Sequence, residues 1–93
     1  MPAYMISYDL RKVRNYDSLL KVLRDWKCVS PLESLWLGTL KGDCGAIRDL
    51  LVPHMDADDG LLIIELKAPG DWAFRKPNNL AVISSWLKAN IHG

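Results

Sequence analysis

Residues Leu61-Leu62-Ile63-Ile64-Glu65-Leu66 form an apolar run of strand length, interrupted by one acid. Side chains alternate between the two faces of a strand, so this run presents Leu or Ile on both sides of whatever sheet contains it. Such a strand needs cover on two faces. The chain has 93 residues, enough for one domain. A domain of that size buries only about 60 to 65% of the surface its unfolded chain exposes.

The rest of the chain has to supply that cover. From Ala3 to Leu10 the sequence alternates, with Tyr4, Ile6, Tyr8 and Leu10 on one face and Met5, Ser7 and Asp9 on the other, which reads as a strand. Tyr16, Leu19, Leu20, Leu23 and Trp26 recur at helical spacing behind an N-cap candidate, Asn15. Ser30-Pro31-Leu32-Glu33 carries helix-start chemistry. Gly38 and Thr39 oppose helix continuation, so Lys27 to Leu40 is expected as an extended or bulged hairpin. Asp43 is placed to cap a second helix with Ile47, Leu50 and Leu51 on its apolar stripe, and Pro53 ends it near Val52. Asp56 to Gly60 is a turn before the apolar run. Lys67 to Asn79 reads as a loop with Trp72 as an anchor, and Asn79 is placed to cap a last helix carrying Leu80, Ile83, Leu87 and Ile91.

This order predicts an α+β fold, a ferredoxin-like βαββαβ sandwich with an additional C-terminal helix. It is a single domain over residues 1–93, with 1–66 as core and 67–93 as loop and terminal helix. The two crossover helices lie on one face of such a sheet. A two-fold partner is the economical cover for the other face.

Twelve Lys and Arg stand against eleven Asp and Glu, a formal charge of +1. Bulk charge therefore points to neither nucleic acid nor membrane, and any such partner must be held by a local patch. No run of eighteen apolar residues and no leader pattern occurs, so a soluble, cytoplasmic protein without membrane contact is expected. Cys28 and Cys44 have no ligand spacing and read as reduced thiols. His54 and His92 have no companions at triad or metal-site spacing. No phosphate-cradling glycine motif is present, and Asp56-Ala57-Asp58-Asp59-Gly60 departs from a calcium loop.

Charge is unevenly spread, with six Lys or Arg against three Asp in residues 1–27 and six acids in residues 40–66. Arg11, Lys12, Arg14, Lys21, Arg24 and Lys27 make a candidate basic strip for phosphates or an ordinary solvated face. Asp9 ends the first strand just before Arg11, Lys12 and Arg14. A carboxylate there has two readings. It holds a hydrated Mg²⁺ while the cations hold phosphates, or it accepts hydrogen bonds from loop amides. Trp26 and Trp36 are expected in the core, with Trp72 and Trp86 pinning the last helix to the sheet or to a partner.

The strand MISYDL ending in Asp9, the basic loop and first helix, LESLWLGTL with Ser34 before Trp36, and MDADDGLLIIEL together resemble the small CRISPR adaptation family called Cas-two. They are also similar to its relatives, the virulence-associated protein D toxins. The resemblance spans about residues 3 to 66. It implies a ferredoxin-like protomer, a homodimer built sheet against sheet, and Mg²⁺-dependent endonuclease cleavage of RNA or DNA. It makes Asp9 the catalytic and metal-binding residue, paired with its copy across the two-fold axis. Arg11, Lys12, Arg14 and Ser34 become nucleic-acid contacts. Other proteins of a defence or toxin system are implied as partners, and some members act as scaffolds without cleavage. The chain departs from the family after Leu66, where a loop and helix replace the strand that crosses to the partner.

Overall fold

In the computed structural model, which describes residues 1–11 and 17–91, the strands are β1 (Ala3–Asp9), β2 (Val29–Leu32), β3 (Leu35–Thr39) and β4 (Gly60–Leu66). The helices are α1 (Asp17–Asp25), α2 (Cys44–Leu51) and α3 (Leu80–Asn90), and a short 3₁₀ turn spans Val52–His54. The sheet order is β2-β3-β1-β4, and each neighbouring pair is antiparallel. This is the ferredoxin-like α+β arrangement, in which each crossover helix joins two strands separated by a third. The β2–β3 hairpin is bulged between Val29 and Leu32. Ser30 Oγ lies 2.6 Å and 2.9 Å from the carbonyl oxygens of Leu32 and Leu35 and ties that bulge.

Tyr4, Ile6 and Tyr8 of β1 point to the face covered by α1 and α2, where they meet Leu19, Leu23, Ile47 and Leu51. Within this layer the Trp36 indole N–H donates to the Tyr8 hydroxyl at 3.2 Å, so neither polar group is buried unpaired. Asp43 caps α2 as its position requires, accepting from the Ala46 N–H at 2.7 Å. Pro53 follows the end of that helix at Leu51. Asn15 and Tyr16 lie outside the described residues.

Asn79 precedes α3 but does not cap it with its side chain. Its backbone is left-handed, with φ 54° and ψ 50°, and it makes no side-chain cap bond. Asparagine tolerates that conformation. The helix start is held instead by its carbonyl oxygen, which accepts from the Ile83 N–H at 3.0 Å.

The second face of the sheet is the informative one. Ile83, Leu87 and Ile91 pack on Ala3 and Leu37, with Val29, Leu35, Trp72 and Trp86 around them. Thus α3 supplies in cis part of the cover that a partner was expected to bring. The loop before α3 and the helix end are pinned at both ends, since Asn78 N–H donates to Pro31 O at 2.8 Å and Gly70 N–H donates to Ile91 O at 2.7 Å. Cover is incomplete on β4, where Leu62 and Ile64 remain 54% and 41% exposed.

Candidate functional site

Antiparallel register decides which loops meet. Asp9 stands opposite Gly60, and Ser7 stands opposite Leu35. One end of the sheet therefore gathers the segment after β1, the Glu33-Ser34 turn and the acidic turn before β4. Asp9, Arg11 and Ser34 come to this end. Lys12 and Arg14 lie outside the described residues. Ser34 is half-buried in its turn, and its carbonyl accepts from the Tyr8 N–H at 3.1 Å, extending the β1–β3 ladder.

Asp9 is exposed and belongs to the face that carries Ser7, Leu62 and Ile64. Arg11 closes on it, with Nε donating to Asp9 Oδ2 at 3.2 Å. Arg11 also reaches across the sheet end. Its backbone N–H donates to Asp59 Oδ1 at 3.0 Å, and Nη1 donates to the Asp58 carbonyl at 3.3 Å. The second carboxylate oxygen of Asp59 accepts from the Asp56 N–H at 2.8 Å, closing the acidic turn on itself.

Gly60 leaves room for this latch. A Cβ at that position would stand 2.8 Å from Arg11 Nη2 and 3.7 Å from Asp9 Cβ. Both members of the Asp9–Arg11 pair are more than half exposed, so it contributes only about 0.2 to 1 kcal/mol. Its consequence is positional: the base of the basic loop is tied to the start of β4.

The acidic turn therefore does more than face solvent. The contact joins residues 48 apart in sequence, and only the register of β1 against β4 brings them together. A second link missed by the sequence joins Ser18 Oγ of α1 to His54 Nδ1 at 2.5 Å. Cys28 is buried, and burial pushes its thiol up to about 11, so it is not a nucleophile at neutral pH.

Mg²⁺ takes near-octahedral oxygen ligands. Among the described residues no group of three or more His, Cys, Asp or Glu side chains is arranged to hold a metal ion. Asp9 is paired with Arg11, and both oxygens of Asp59 accept main-chain bonds. The described donors of the single chain do not assemble a ligand set for the ion.

Among the described residues no helix is long and apolar enough to cross a membrane. Comparison with protein-family models, with curated proteins and with solved structures found no match. A functional reading rests on the fold, the latch and the charges around it.

Proposed function

We propose that the chain is a homodimeric nucleic-acid-binding module of ferredoxin-like fold that engages RNA or DNA phosphates without a metal centre in the single protomer. The observation that carries this reading is the latch. Arg11 neutralises Asp9 and anchors the segment that continues into Lys12 and Arg14. With Asp9 held by Arg11, this reading assigns phosphate contact to Lys12 and Arg14, which directly follow the latch in the sequence. Arg24 and Lys27 are exposed at the far end of α1 and form no ion pair among the described residues, which extends the phosphate-binding surface.

One observation favours a second reading, Mg²⁺-dependent endonuclease action. Asp9 is exposed on the sheet face that α3 leaves open, where a carboxylate from another copy would complete a ligand set.

Fluorescence anisotropy with short RNA and DNA at several salt concentrations tests the binding reading. The Lys12→Glu/Arg14→Glu variant is expected to weaken binding to every sequence and to reduce the salt slope by about 1 to 2. Asp9→Asn is expected to bind at least as well as the wild type. Absence of binding at low salt overturns the reading. Mg²⁺-dependent cleavage that disappears in Asp9→Asn replaces it with the endonuclease.

A further inference from the structure

The two edges of the sheet are built differently. The β2 edge has four residues, contains Pro31 and a register shift, and is met by the Asn78 N–H. Each of these features discourages another strand from adding there. The β4 edge has seven residues, no proline and no register shift, and Glu65 is its one charged side chain. Among the described residues it has a neighbour on one side only. A long, regular, apolar edge of this kind is a template for pairing.

The register also shows which main-chain groups face outward. Tyr8 N–H donates to Ser34 O, in the turn that leads into β3. In an antiparallel strand successive residues bond to opposite neighbours, so the odd-numbered residues of β1 bond toward β4. Their partners Gly60, Leu62, Ile64 and Leu66 point back to β1. Leu61, Ile63 and Glu65 therefore turn their N–H and C=O groups outward.

We propose that β4 pairs antiparallel with β4 of a second copy across a two-fold axis at Ile63, joining two four-stranded sheets into one of eight. The proposal rests on the homodimer in the reading above and specifies its interface. Ile63 faces its own copy, and Leu61 faces the partner's Glu65, both as hydrogen-bonded pairs.

Charge selects this register. On the face that Leu61, Ile63 and Glu65 share, α2 brings Cys44, Gly45 and Arg48 against the strand along a groove of 160 Å³. Within the protomer Arg48 Nε donates to its neighbour Asp49 at 3.1 Å, while Nη2 lies on the Gly45 side, 3.8 Å from where a Cβ on that residue would stand. The partner's Glu65, seated beside Leu61, enters that groove within reach of Arg48, and symmetry repeats the contact. Lys67 falls opposite the partner's Asp59. On the other face Leu62 stands beside the partner's Ile64, so the exposed apolar residues of the two copies become one cluster of four. A shift of two residues removes Glu65 from Arg48.

The pairing separates the two copies of Asp9. Asp9 lies level with Gly60, three residues from the axis along the strand and one strand further in, which places the two copies about 25 Å apart. They do not share an ion in this dimer.

Sedimentation velocity across a concentration series tests the interface. The wild type is expected to be a dimer. Glu65→Arg and Arg48→Glu are each expected to raise the dimer Kd at least about tenfold, and the double reversal is expected to restore it. Circular dichroism checks the fold of each variant. If one fails to fold, Leu62→Lys reads the same edge through an exposed side chain and is expected to weaken the dimer equally. A wild type that stays monomeric overturns the proposal, as does a dimer unchanged in the reversals and in Leu62→Lys. Nucleic-acid binding is read separately by anisotropy. Loss of wild-type binding with the reversal pattern intact supports the edge dimer and removes only the nucleic-acid reading. A wild-type monomer that still binds does the opposite.

Discussion

Replacing Ile83 by alanine tests whether α3 covers the sheet in cis. Ile83 is 1% exposed and packs with Ala3, Leu37, Leu87 and Ile91. Truncating a buried isoleucine to alanine costs about 2 to 5 kcal/mol, depending on the cavity left behind. Ile83 already lines an apolar groove of 440 Å³ between α3, the sheet and the loop around Trp72. The groove gives the neighbouring side chains room to relax toward the space left behind, so the expected cost is at the lower end, about 2 to 3 kcal/mol. For a domain this small each kcal/mol lowers Tm by about 4 to 8 °C, so a drop of roughly 10 to 20 °C is expected in a thermal melt followed by circular dichroism. Val82→Ala is the control, one residue earlier on the same helix and 52% exposed, with an expected change within about 0.5 kcal/mol. An Ile83→Ala protein that melts within about 2 °C of the wild type refutes the docking of α3. So does a Val82→Ala loss as large as that of Ile83→Ala.

Three smaller effects follow from particular contacts. Asp43→Ala removes the α2 cap and is expected to cost about 1 kcal/mol in chemical denaturation, most of which Asp43→Asn recovers. In Gly38→Ala the new Cβ would stand 2.5 Å from Cys28 Sγ, an overpacking worth about 1 to 3 kcal/mol. The Gly38→Ala/Cys28→Ala double variant is expected to be more stable than Gly38→Ala alone. Because burial raises the Cys28 thiol from 9.0 to about 11, the unfolded chain ionises first as pH rises. Its contribution is fully present below pH 9.0 and is lost between there and about 11. Denaturation at pH 8 and pH 10.5, about 1 unit below that window and about 1.5 units into it, is expected to show a steeper loss in the wild type than in Cys28→Ala, and equal losses contradict it.

The elements were legible in the sequence because each announces itself locally. Alternation marks β1, Asp43 and Pro53 bracket α2, and Gly38 and Thr39 oppose the helix that Ser30-Pro31-Leu32-Glu33 would start, leaving the β2–β3 hairpin. The position of α3 was not legible. The spacing of Ile83, Leu87 and Ile91 shows that the helix has an apolar side, but not that this side lies on Leu37 instead of leaving the sheet to a partner. Asp9 and Arg11 were recognisable as candidates from their place at the strand end. Their mutual pairing, and the grip of Arg11 on Asp58 and Asp59, depends on the β1–β4 register, which no local pattern encodes. Asn79 has the composition of a cap, yet a left-handed backbone takes its side chain out of that role. The difference between the two sheet edges became visible only once β2 and β4 were known to be the outer strands.

In the proposed assembly two copies meet at β4 with the Asp9 residues apart. Pulsed dipolar spectroscopy on spin labels at Asp9→Cys, with Cys44 replaced by alanine and Cys28 left buried, measures that separation directly. The edge-paired dimer predicts one distance, about 25 Å between backbones with the label arms added. A separation of about 10 Å or less, close enough for two carboxylates to share one ion, would contradict the edge-paired assembly and favour metal-dependent cleavage.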